Sequence, residues 1–254
     1  PIVVCVAQQG KQEFLRQQAE ELAGLLVAGV AVCLPDLRGT GETSPGESRD
    51  RRSTATTLSS SELMLGETSL GGQLRDLRAL LSFLRTRPEL DTKQLALWGD
   101  SFAKVNAPET NFKVAHVAAN RPAQVEPTGG LLALLCALFE DDVRAVYVRR
   151  GLSDFQSVLA GQFCYLPHDV VIPGVLKSGD LCDLSAALAP RSLYLHHMVD
   201  GLNRVVSDAE LTNKYEPTRT AYKAAKAETR LRLGGNPTDK TPVSRWLLEQ
   251  LTVR

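Results

Sequence analysis

The chain has 254 residues, enough for one sizeable α/β core. Hydrophobic residues make up 43% and charged residues 23%, the balance of an ordinary globular protein. Lysine plus arginine equals aspartate plus glutamate at 29 each, which argues against nucleic acid or an anionic membrane as partner; apolar runs such as Leu131 to Leu135 are too short to span a bilayer.

Ile2 to Ala7 is a continuous apolar, β-branched run, as in a strand buried on both faces. Glu13 to Leu26 carries apolar Phe14, Ala19, Leu22, Leu25 and Leu26 among charges and predicts a helix, which Gly29 ends. Val30 to Leu34 is the second strand. Thr40 to Ser69, rich in Ser, Thr, Gly and charge, reads as a long exposed loop with at most one short helical turn. Leu70 to Arg85 is an amphipathic helix with Leu74, Leu77, Leu80, Leu81 and Leu84 on one face, and Pro88 lies just beyond it. Gln94 to Trp98 is the third strand. Gly129-Gly130 opens an apolar helix, Leu131 to Glu140, followed by strands at Val143 to Val148 and Ser192 to His197. A helix from about Asp208 to Ala225, a strand at Thr229 to Leu233 and a helix from Pro242 to Leu251 complete the chain. This alternation predicts one domain over residues 1–254, with a mostly parallel sheet covered by helices on both faces. The chain opens at Pro1 inside a strand, as a fragment of a longer protein would.

The five cysteines fit no zinc spacing. Cys5, Cys33 and Cys136 lie in apolar runs and read as small buried hydrophobes. Cys164 and Cys182 are left open as a disulfide pair, and with them the compartment.

Gly99-Asp100-Ser101-Phe102-Ala103 follows directly on the third strand. A G-x-S-x-G sequence at such a place forms a sharp strand-to-helix turn that lifts the serine oxygen above the sheet edge, and Ala103 is still small enough for it. The alternative is an ordinary strand-end turn. The apolar helix that should follow at once is displaced to Gly129-Gly130 by an insertion, 104–128, anchored beside Ser101 and containing Pro108, Pro122 and Pro127. Residues 151–185 form a second, cap-like segment. Asp36-Leu37-Arg38-Gly39-Thr40-Gly41 lacks phosphate-loop spacing and reads as a structural turn. Arg149-Arg150 stand where a sheet edge meets ligands, with a surface pair as the plain alternative. Glu140-Asp141-Asp142 reads as a solvated turn, and no metal site is expected.

Leu65 to Gly72, Arg87-Pro88-Glu89-Leu90-Asp91, Pro173 to Lys177 and Asp183 to Leu193, with its Ala189-Pro190-Arg191 step, occur in the order found in one family. With these stretches the chain resembles acetyl xylan esterase-like α/β hydrolases, related to the dienelactone hydrolase group, from Ile2 onward. Members usually have further strands upstream, so the resemblance implies that the N-terminal strands are missing here. It implies ester hydrolysis through serine, histidine and aspartate with no cofactor, on a small-molecule or carbohydrate ester, in a secreted or periplasmic setting, with other domains of a longer chain as further partners. Ser101 matches the nucleophile and Asp200 the acid, for which a turn former or helix cap is the alternative. Two backbone N–H oxyanion donors are expected, one from Phe102 and the other from the Gln8-Gln9-Gly10-Lys11 loop, with Gln9 the candidate, while Gly10 reads as permitting the turn.

The sequence departs from the family at the histidine. Gly234-Gly235 is followed by Asn236, which cannot accept a proton near neutral pH. The four histidines are His116, His168, His196 and His197. His197 and His168 are the best candidates for a relocated base, and a plain structural role is the alternative for each. Three readings therefore stand: an esterase with an unusual base, a degenerate hydrolase domain with a binding or structural role, and a module completed by another chain.

Overall fold

In the computed structural model, which describes residues 1–46, 54–114, 121–235 and 242–252, the first strand β1 (Ile2–Ala7) is buried along its whole length. It pairs in parallel with β2 (Ala31–Cys33) on one side and β3 (Leu95–Asp100) on the other. β4 (Val143–Arg149), β5 (Ser192–His196) and β6 (Leu231–Leu233) follow, giving a six-stranded parallel sheet of order β2-β1-β3-β4-β5-β6. The topology is α/β, with the apolar runs at its centre.

Strand side chains alternate faces, and β1 divides the core accordingly. Val3, Cys5 and Ala7 join Phe14 of α1 (Lys11–Gln17), Leu22 and Leu25 of α2 (Ala19–Val27), and Trp246, Leu247 and Leu251 of α11 (Val243–Thr252). Ile2, Val4 and Val6 face the other layer, with Leu77 and Leu81 of α4 (Ser69–Leu84) and the apolar helix α5 (Thr128–Phe139). Thr68 caps α4 by accepting from the Gly71 amide at 3.0 Å.

Three expectations are corrected. The loop over 40–69 contains an eleven-residue helix, α3 (Thr54–Met64), of which only Ser59 is buried. Its sequence has no apolar stripe to reveal it; a contact between Ser59 Oγ and His168 Nδ1 at 2.7 Å ties it to the molecule. The helix expected over Glu13 to Leu26 is broken at Gln18, which leaves helical geometry and sends its side chain to Asp100. The helix expected over Asp208 to Ala225 is divided at Tyr215 into α9 (Asp208–Lys214) and α10 (Glu216–Ala224), with Pro217 in the first turn of the second. Residues 151–185 hold the short helices α6 (Gln156–Leu159), α7 (Val175–Ser178) and α8 (Leu181–Ala186). Cys164 and Cys182 are free thiols, as are Cys5, Cys33 and Cys136. Among the described residues no helix is long and apolar enough to cross a membrane.

Candidate active site

Strand β3 runs through Gly99 and Asp100, so Ser101 is the first residue beyond it, at the C-terminal edge where parallel sheets present their ligands. The displaced helix α5 returns to this point. A Cβ on Gly129 would lie 2.4 Å from the Val6 carbonyl oxygen and 2.6 Å from that of Asp100. Only glycine lets the helix start press this closely on the ends of β1 and β3. Ser101 itself is buried at 1% exposure, and the chain after it is not helical. Outside glycine, the described residues with positive φ are Arg150, His197, Asn203 and Lys226, so Ser101 does not adopt a left-handed backbone.

Asp100, a spacer in the sequence motif, is the hub of the site. Its fully buried carboxylate accepts from Trp98 Nε1 at 3.1 Å, Gln18 Nε2 at 3.1 Å, the Ser101 amide at 2.8 Å and Arg149 Nε at 2.8 Å. Burial nevertheless outweighs Arg149 and these donors, pushing the Asp100 carboxyl up to about 6. No sequence pattern marks Asp100, because two of its donors arrive from Gln18 and Arg149, on a helix end and a neighbouring strand far along the chain.

The two amides after the serine point at a second carboxylate. Phe102 N–H and Ala103 N–H both donate to Glu126 Oε2, at 3.0 and 3.1 Å, and Gln9 Nε2 donates to Glu126 Oε1 at 2.5 Å. Consecutive amides facing an anion form a nest, the arrangement that stabilises developing oxyanions. The Phe102 amide and Gln9 thus meet on one group, but Gln9 reaches it through its side chain and not through the backbone N–H expected of it. Glu126 carries no sequence motif and was missed; its position just before the Gly129-Gly130 helix start is the one signal that could have found it.

Register places the histidines. Asp100 pairs with Arg149 and Arg149 with His196, so Ser101, Arg150 and His197 end three adjacent strands in one row. With strands about 4.8 Å apart, the Ser101 and His197 backbones lie roughly 10 Å apart, with Arg150 between them. The His197 ring stacks on His196 at 4.2 Å and lies so close to Gly235 that a Cβ there would sit 2.4 Å from its Cε1. Its neighbour is therefore Gly235, while Gly234 faces Asp208. Burial and the nearby Arg150 hold His197 below the ordinary imidazole range. His196 shares a 2.6 Å hydrogen bond with the Tyr147 hydroxyl, and burial lowers it to about 4. His168 bonds Ser59 of α3. Among the described residues no imidazole is hydrogen-bonded to Ser101. Asn236 and His116 lie outside the described residues.

Asp200 Oδ1 accepts from the Leu202 and Arg204 amides, both at 2.9 Å, and so closes the turn that it begins. That turn holds the segment after Ser101. Asn203 Nδ2 donates to the Lys104 carbonyl at 3.0 Å, and Asn106 Nδ2 donates to Leu202 O at 2.7 Å and Ala123 O at 2.9 Å. Asp36 accepts from the Lys11 and Glu42 amides at 2.7 and 3.1 Å, a structural turn beneath the Gln8-Gln9 loop.

A parallel sheet of this order, layered by helices and carrying a serine and a backbone anion nest at the end of a central strand, is an α/β-hydrolase fold. No protein-family model and no curated protein sequence matches the chain. Among solved structures, BF1801 of Bacteroides fragilis, assigned by inference as an acetyl xylan esterase, superposes with a TM-score of 0.66 at 15% identity, over 95% of this chain and 60% of that one. TT1662 from Thermus thermophilus superposes with a TM-score of 0.56 at 19% identity, over 100% and 89%. A CE15 glucuronoyl esterase from Caldicellulosiruptor kristjansonii superposes with a TM-score of 0.51 at 14% identity, over 97% and 65%. The chain spans less than two thirds of the length of both esterases. At these identities the likeness is one of fold, and it is shared with carbohydrate esterases.

Proposed function

We propose that the chain is a carboxylic ester hydrolase domain in which Ser101 is the nucleophile, acting on small acyl groups, acetyl above all, carried by a carbohydrate or other small alcohol. The observation that carries this reading is the pair of Phe102 and Ala103 amides converging on a single carboxylate oxygen beside the serine. In the reaction, Ser101 Oγ adds to the acyl carbon, the amide pair takes the negative oxygen, and the alcohol leaves. Water then releases the acid from the acyl-enzyme. His197, in the same strand-end row, is the proposed proton acceptor, and Asp200 the residue that holds the adjoining turn. Among the described residues no imidazole is hydrogen-bonded to Ser101, so slow turnover is the expected outcome. Removing the base of such a site costs about 10⁴–10⁶ in kcat, and the oxyanion donors retain roughly 10³–10⁴ over water.

A second reading is a degenerate hydrolase domain that binds a ligand without turning it over. It is favoured by Glu126, which holds the amides an ester oxygen would need. An alkyl fluorophosphonate separates the two. Labelling that is lost in Ser101→Ala supports the esterase, and a folded protein that takes no label at Ser101 leaves the binding domain. Hydrolysis of p-nitrophenyl acetate, compared between the protein and Ser101→Ala, separates them again through turnover.

A further inference from the structure

Three consecutive amides, those of residues 101, 102 and 103, donate to carboxylate oxygens: the first to Asp100, the next two to Glu126. The first is an internal cap on the strand end. The other two reach a group 24 and 23 residues further along the chain, and Gln9, from the opposite loop, completes the cradle. Gln9 is exposed and Glu126 half-buried, so the cradle opens to solvent. The limb that delivers Glu126 is anchored independently of it. Ala123 N–H donates to Asn106 Oδ1 at 3.0 Å, Val125 N–H donates to the Tyr165 carbonyl at 3.0 Å, and α5 begins two residues after Glu126.

We infer that the nest of Phe102 N–H, Ala103 N–H and Gln9 Nε2 is a binding site for a small monocarboxylate, in which Glu126 is a built-in competitor. The Glu126 carboxylate stands where the carboxylate of a released acid would stand. It donates nothing to Ser101 and consumes two donors that a carbonyl oxygen needs, so a ligand gains the site only by displacing it. A tethered carboxylate acts at a high effective concentration, so a free acid competes poorly while Glu126 is present. The inference deepens the esterase reading by naming the product class at its anion site, and it rests on that reading only for the identity of the acid.

The test is titration of the full ¹⁵N-labelled chain with sodium acetate, read at the Phe102 and Ala103 amides. The unmodified protein should show weak shifts. Glu126→Ala should show saturable shifts at these two amides, with affinity higher by about tenfold or more. Glu126→Gln keeps the shape and removes the charge, and should move the same way by less; it also serves if the alanine variant does not fold. Asn106→Ala, which frees Ala123 without touching the cradle, should again raise the affinity. Equal affinity in the protein and both Glu126 variants, or shifts confined to other amides, overturns the inference. Acetate is not turned over, so the titration is independent of acylation: acetate binding with no labelling of Ser101 refutes the esterase and leaves this site standing.

Discussion

Asp100 offers a decisive test of which force governs the site. Its carboxyl is raised from the ordinary 3.8 to about 6, because burial outweighs Arg149 and the hydrogen bonds. A carboxylate whose folded pKa lies above its unfolded one binds the proton more tightly when folded. Its contribution to stability is full below about pH 4 and is lost as pH rises through about 6. The displacement of roughly two pKa units corresponds to about 3 kcal/mol. Asp100→Asn keeps the shape and cannot ionise. The variant has its own cost, since Arg149 loses its charged partner, but arginine stays protonated and that cost does not vary with pH. The stability of the protein minus that of the variant, from urea unfolding at points between about pH 3.5 and about pH 7.5, should therefore fall by about 3 kcal/mol. A difference that rises with pH would mean that Arg149 wins and Asp100 is held low, refuting the reasoning.

His196 acts in the opposite sense, since burial lowers it to about 4: its contribution is full above about pH 6.5 and lost as pH falls towards 4, so the stability difference from His196→Gln should grow with pH across that window. Gly129→Ala drives a Cβ into the carbonyl oxygens of Val6 and Asp100, and should cost about 3 kcal/mol or more on chemical unfolding despite alanine's better helix propensity. Leu77→Ala, in the fully buried face of α4, should cost about 2–5 kcal/mol. If His197 accepts the Ser101 proton, His197→Ala should lower p-nitrophenyl acetate hydrolysis by about a hundredfold or more, while Ser59→Ala, which frees His168 from α3, should leave the rate unchanged.

Much of the architecture was legible because it is local. The β-branched run at Ile2 to Ala7 and the leucine stripe of α4 are periodic signals, and each became the element it predicts. The helix start at Gly129-Gly130 was legible too, and it packs against the strand ends. Helix α3 was not, because its sequence buries one serine and no stripe. The break at Gln18 was not, because its reason is a carboxylate 82 residues away.

At the site, the sequence alone determined the fold class and the serine at the end of a central strand, both short-range consequences of strand, turn and glycine patterns. Only the tertiary structure decided what surrounds the serine: Asp100 as a buried hub for Gln18 and Arg149, Glu126 in the amide nest, and His197 turned against Gly235. Those contacts join segments far apart in the chain, and a carboxylate's partners follow from which backbone ends the packed sheet brings together, a property no local pattern records.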